Sequence, residues 1–122
     1  MAGILLVEDD DDLRLMLKDS LEKRKHSIIE ASNGREALNK FKSSVTDLVI
    51  TDLLMPEQDG IGLIMQLRKV KPDIKIIAIS GGGKMGPSNY LDVAKTIGAN
   101  AIFSKPFNLK SFVEEVEKLA EH

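Results

Sequence analysis

Apolar residues along this chain fall into two alternating patterns. In the first they form short unbroken runs, such as Ile4-Leu5-Leu6-Val7, Leu48-Val49-Ile50 and Ala101-Ile102-Phe103. Continuous apolar runs of that length predict strands buried on both faces. In the second pattern apolar residues recur every three or four positions, the spacing of an amphipathic helix. Strands are accordingly predicted over residues 3–7, 27–31, 47–51, 74–79 and 101–103. The first predicted helix carries a stripe of Leu13, Met16, Leu17, Ser20 and Leu21, with Asp10 as its N-cap and Asp11 and Asp12 favoured by the helix dipole. The second starts at the cap-forming Ser32-Asn33-Gly34 and turns Ala37, Leu38 and Phe41 inward. The third presents Ile61, Ile64, Met65 and Leu67 and stops at Lys71-Pro72. The fourth starts near Ser88, with Tyr90, Val93, Ala94 and Ile97 inward and Gly98 as its C-terminal cap. The last has the cleanest stripe: Leu109, Phe112, Val113, Val116, Leu119 and Ala120.

Five repeats of strand and helix, with no linker, repeat array or low-complexity segment, predict one α/β domain over residues 1–122. Its sheet should be parallel, covered by helices on both faces and joined by right-handed crossovers. Ligands of such a sheet sit beyond the carboxyl ends of the strands, where the strand order reverses. The polar residues of interest fall at those ends. Glu8 and Asp9 follow strand one, Asp52 ends strand three, Ser80 ends strand four and Lys105 follows strand five.

Composition narrows the function. With 43% hydrophobic and 30% charged residues the chain is globular, and 122 residues suffice for a core without staples. A net charge of −2, with Lys and Arg spread along the chain, lacks the concentrated basic face that nucleic acid requires. The absence of Cys removes disulfides, thiolate nucleophiles and zinc-thiolate sites. No run reaches membrane-spanning length and the start lacks a signal-peptide layout, so a cytoplasmic protein is expected.

Glu8, Asp9 and Asp52 would bring up to three negative charges together. Two like charges about 4 Å apart repel by roughly 4 kcal/mol at an effective dielectric of 20. Lys105 offsets one charge only. An all-oxygen ligand set favours a hard divalent cation, Mg²⁺ or Mn²⁺. With such an ion present Asp52 can attack a phosphoryl group and form an acyl phosphate. Lys105 and the Ser80 hydroxyl would then face the phosphoryl oxygens. His26 and His122 have no ligand-spaced partner and do not compete for the role. Taken singly, Asp52 is a turn acid before Pro56, Ser80 a loop hydroxyl and Lys105 a solvated amine. Their joint placement at the strand ends is what carries the reading.

These residues resemble the receiver domain of two-component response regulators, the CheY-like family, along the whole chain. Val7-Glu8-Asp9-Asp10 is similar to that family's acidic pair, and Asp52-Leu53-Leu54-Met55-Pro56 with Gly60 to its phosphoacceptor loop. Ser80-Gly81 and Lys105-Pro106-Phe107 match its hydroxyl and lysine-proline signatures. The resemblance implies a flavodoxin-like sheet of order 2-1-3-4-5. It implies phosphorylation of Asp52 by a histidine kinase or histidine phosphotransfer protein. It further implies Mg²⁺ held by Asp9, Asp52 and the Leu54 backbone carbonyl, with Glu8 acting through water. A cis Lys105–Pro106 bond is expected, as is kinase docking on the first helix and the loop after strand five. Leu15, off the buried stripe, should be exposed beside that surface. Output to an effector protein would pass through the fourth helix, strand five and the last helix.

Three features depart from the family pattern. Ser80 stands where Thr is commoner, and its oxygen serves equally. Ile102 stands three before Lys105, where an aromatic residue is usual, while Phe103 should face the other way. The glycine-rich residues 81–87 form a longer connection than usual and are expected to order on phosphorylation or partner binding. Among rival functions, a haloacid-dehalogenase-type phosphatase needs a second Asp two residues after the nucleophile, where Leu54 stands. A P-loop nucleotide site in residues 81–84 fails at Ala78 and Met85. An unphosphorylated pseudo-receiver scaffold is disfavoured by the intact acid, hydroxyl and lysine set. The chain is therefore expected to phosphorylate and dephosphorylate only itself.

Overall fold

The computed structural model describes residues 2–53, 60–80 and 98–120. Strands β1 (Gly3–Val7), β2 (Ser27–Ala31), β3 (Leu48–Asp52), β4 (Lys75–Ser80) and β5 (Ala101–Ser104) form a single parallel sheet of order β2-β1-β3-β4-β5. The reversal of strand order falls between β1 and β3, the switch point at which open α/β sheets bind ligands. Four helices lie among the described residues: α1 (Asp11–Glu22), α2 (Gly34–Lys42), α3 (Gly60–Val70) and α4 (Leu109–Ala120). The fourth helix expected from the sequence, and the glycine-rich connection before it, lie outside the described residues. So does Leu54.

Strand side chains alternate between two cores, as the pleat requires. Leu5, Val7, Val49, Ile76 and Ala78 pack with Ala37 and Phe41 of α2 and with Leu63, Ile64 and Leu67 of α3. Ile4, Leu6, Ile50, Ile77 and Ile79 pack on the other face with Leu17 and Leu21 of α1 and with Phe112, Val113 and Val116 of α4. Each such buried aliphatic chain contributes about 1.5–3 kcal/mol. Two stripe assignments need correction. Met16 is 45% exposed and Met65 51% exposed, whereas Leu63 is fully buried. Both methionines sit at the edge of an apolar arc, where a helix turning 100° per residue has already carried the side chain past its neighbour strands.

The helix starts follow from their caps. Asp10 accepts hydrogen bonds from the amides of Asp12 (3.0 Å) and Leu13 (3.2 Å). Asn33 accepts from Glu36 N–H at 2.9 Å, and Glu36 reaches back to Ser32 N–H at 3.0 Å. Gly98 adopts φ +102°, a left-handed conformation that favours glycine.

The end of β3 is held on two sides. Asp52 lies opposite Ile79 in the register, and Leu53 N–H donates to the Ile79 carbonyl at 2.8 Å. On the other side α3 begins against the strand's own backbone, with Gly60 N–H donating to the Leu53 carbonyl at 2.9 Å. A Cβ on Gly60 would lie 2.2 Å from the Asp52 carbonyl oxygen and 2.7 Å from Leu53 Cα, so only glycine permits this approach.

Candidate functional site

Each side chain of interest is delivered by the end of a strand. Glu8 is the first residue beyond β1, fully buried, with its amide bonded to the Ala31 carbonyl at 3.0 Å. Its Oε2 accepts from Asp10 N–H at 3.0 Å, which ties the acid to the start of α1. Asp52 is the last residue of β3 and is buried, its carbonyl accepting from the Thr51 hydroxyl at 3.0 Å. Ser80 closes β4, one position past the residue that pairs with Asp52, and is buried too. Lys105 follows β5, its amide anchored to the Ser80 carbonyl at 2.8 Å and its bond to Pro106 cis, as expected.

Carboxylate oxygens of Glu8, Asp9 and Asp52 lie within 4.8 Å of one another. Lys105 Nζ donates to Asp52 Oδ2 at 2.7 Å and lies 3.3 Å from Glu8 Oε1. Among the described residues Glu8 Oε1 is nonetheless buried without a hydrogen bond, so the ion pair does not satisfy it. Such a group is costly unless something else completes its coordination. Burial, and then the charge of Asp52, push the Glu8 carboxyl up from 4.5 to about 7. Burial works against the charge on Lys105, but its hydrogen bond to Asp52 and the two carboxylates prevail and raise its pKa. Excess negative charge, one orphaned buried oxygen and an all-oxygen donor set fit a hard divalent cation. The exposed Asp9 and the buried Asp52 would donate directly, with Glu8 beside them.

The structure thus brings together Glu8, Asp9, Asp52 and Lys105, with Ser80 on the adjoining strand end. Sequence reading missed Arg14, whose Nη1 donates to the Glu8 carbonyl at 2.7 Å. An arginine on the polar side of an amphipathic helix carries no signal of that contact. Ile102 packs on the α2–α3 side of the sheet. Phe103 faces the opposite side, with its ring centroid 5.8 Å from Phe107 and 5.2 Å from Phe112. The expected opposite facing of Ile102 and Phe103 is therefore observed.

A flavodoxin-like sheet here gathers three acids and one lysine at the carboxyl ends of its strands. The chain belongs to the response regulator receiver domain family, which matches residues 4–117. It is 35% identical over 119 residues to the response regulator receiver protein CpdR of Brucella abortus, spanning 98% of this chain and 97% of that protein. It is 37% identical over 118 residues to the chemotaxis protein CheY of Thermotoga maritima, spanning 96% of each. Among solved structures it is similar to the response regulator TrrA of Thermotoga maritima in complex with Mg²⁺ and BeF, with a TM-score of 0.85, 37% identity and coverage of 98% and 99% of the two chains. The protein is thus a receiver domain of two-component signalling, a phosphorylation-dependent switch of a family that binds Mg²⁺. Among the described residues, no helix is long and apolar enough to cross a membrane.

Proposed function

We propose that Asp52 accepts the phosphoryl group, transferred from a phosphohistidine of a histidine kinase or phosphotransfer protein. A carboxylate oxygen of Asp52 attacks phosphorus, the O–P bond forms, and the N–P bond breaks with its electron pair leaving on the imidazole. Lys105, already 2.7 Å from Asp52 Oδ2, is in reach of the incoming phosphoryl oxygens, and Ser80 would donate its hydroxyl to one of them. Asp9, Asp52 and the Leu54 carbonyl would hold Mg²⁺, or Mn²⁺, with Glu8 acting through water. The bound ion supplies positive charge to the transferring group. The 2.7 Å contact between Lys105 and Asp52, inside a ring of acids, is the observation that carries this reading. The Mg²⁺–BeF complex of the relative TrrA supports it, since a fluoroberyllate has the tetrahedral shape of a phosphoryl group.

In this reading residues 1–122 are one receiver domain working in the cytoplasm, which turns over no external substrate and signals by binding. Docking of the phosphodonor would use α1 and the loop after β5, where Leu13, Met16, Pro106, Phe107 and Leu109 line a groove of about 270 Å³. Leu15 is 55% exposed on the same helix. The effector would read the face made by the fourth expected helix, β5 and α4. Incubation with acetyl phosphate and Mg²⁺, followed by intact mass, tests the central claim. Wild type should gain one phosphoryl group and Asp52→Ala none; equal gain by both would overturn it.

A further inference from the structure

The peptide bond that joins Glu8 to Asp9 is gripped by a side chain with no place in phosphoryl transfer. Arg14 lies in the first turn of α1, its amide bonded to the Asp10 carbonyl at 2.9 Å. Its guanidinium serves three elements at once. Nη1 donates to the Glu8 carbonyl at 2.7 Å, Nε to Glu30 Oε1 on β2 at 3.1 Å, and Nη2 to Asp11 Oδ1 at 2.6 Å. The side chain is only 15% exposed, so these bonds are partly shielded from water.

Because a peptide unit is planar, fixing the Glu8 oxygen also fixes the direction in which the chain leaves towards Asp9. Glu8 N–H is held by Ala31 and Glu8 Oε2 by Asp10 N–H, each at 3.0 Å. Arg14 adds a further restraint on this turn. A guanidinium is suited to the task because its donors are set in one rigid plane, whereas a lysine offers a single point charge.

We infer that Arg14 is a positioning residue for the cation site: it orients the Glu8–Asp9 peptide, and through it the two acids, from outside the ligand set. This rests on the reading of Asp9 and Asp52 as cation ligands with Glu8 acting through water. Two physical accounts of Arg14 make opposite predictions. If it acted only as a nearby positive charge, removing it would relieve repulsion and tighten Mg²⁺ binding. If it acts by orientation, removing it weakens binding, by about tenfold as for other groups that hold metal ligands in place.

The test is an amide NMR titration with MgCl₂ of wild type, Arg14→Lys, Arg14→Ala and the control Lys18→Ala, whose lysine pairs with Glu22 on the same helix. Thermal unfolding in EDTA is measured alongside. Arg14→Lys keeps the charge and removes the fork, so it is the deciding variant. The expected result is a Mg²⁺ midpoint about tenfold higher for both Arg14 variants and unchanged for Lys18→Ala. A midpoint for Arg14→Lys equal to or below that of wild type overturns the inference while leaving the cation site intact. So does a fall in its unfolding temperature with no movement of its midpoint. Absence of saturable Mg²⁺ shifts in wild type overturns the reading of the site itself, and the inference with it.

Discussion

Lys105 donates a 2.7 Å hydrogen bond to Asp52, a residue 53 positions earlier in the chain. The ends of β3 and β4 make that contact possible: Asp52 closes β3, and Lys105 is tied through its amide to the Ser80 carbonyl at the end of β4. The amine faces the carboxylate proposed to accept the phosphoryl group. Lys105→Met should therefore slow phosphorylation by acetyl phosphate by about 10²-fold, the usual cost of losing one donor aimed at developing charge. It should not weaken Mg²⁺ binding, because it removes a competing cation. A mass-spectrometric time course and a Mg²⁺ titration separate the two effects, and transfer at the wild-type rate would reject the assigned role.

Glu8 makes the stability of the metal-free protein depend on pH. Its carboxyl is raised from 4.5 to about 7, by burial first and then by the Asp52 charge. Between those values the folded protein holds a proton that the unfolded chain has lost. The contribution is therefore fully present below about pH 4.5, is lost as pH rises to about 7, and is flat above. Mg²⁺ favours the ionised acid, so its affinity should fall as pH drops below about 7. Denaturant unfolding in EDTA from pH 4.5 to 8 should show Glu8→Gln more stable than wild type at the alkaline end and level with it at the acid end. A wild-type profile that matches Glu8→Gln throughout would contradict this account.

Gly60 is a second point at which the backbone of Asp52 is controlled. A methyl group there would meet the Asp52 carbonyl at 2.2 Å, a contact that main-chain atoms can relieve only by moving. Gly60→Ala should cost about 1–3 kcal/mol of stability, as overpacking does. Since the displaced atoms belong to the proposed phosphoacceptor, the phosphorylation rate should fall even at temperatures where the variant is fully folded. Urea unfolding and acetyl-phosphate labelling on the same samples would show both losses.

The alternation of strands and helices and the gathering of Glu8, Asp9, Asp52 and Lys105 are legible in the sequence because each acid or amine stands where an apolar strand run ends, while the strand order comes from the family resemblance. An abrupt change from apolar to charged at the end of a buried strand has few structural explanations. Met16 and Met65 mislead because an apolar residue at the edge of a helical stripe looks the same whether or not a strand lies beneath it. Arg14 escapes notice for a different reason. Its partners, Glu8, Asp11 and Glu30, come from three elements, and only the folded chain shows that one guanidinium spans them. The close approach behind Gly60 is hidden likewise, since it depends on where α3 meets the end of β3.

His26 marks the far limit of sequence reading and carries the last prediction. In the sequence it is a histidine without ligand-spaced partners, yet in the fold it is buried and joins three parts of the chain at the end of the sheet away from the pocket. Its Nδ1 lies 3.1 Å from the amide of Ala2, which can only donate, so Nδ1 must be the unprotonated acceptor. Nε2 then carries the proton and donates to Glu117 on α4. Long-range nitrogen NMR should report the Nε2–H tautomer. His26→Phe would leave the buried Ala2 amide without an acceptor and should cost about 1–3 kcal/mol. His26→Asn can present an oxygen near the Nδ1 position, so it should cost less than His26→Phe although it also loses Glu117. Equal losses for the two variants in urea unfolding would mean that ring packing, and not the Ala2 hydrogen bond, is what His26 contributes. Phosphorylation rates should stay at wild-type level in both, because neither change touches the strand ends that carry Asp52 and Lys105.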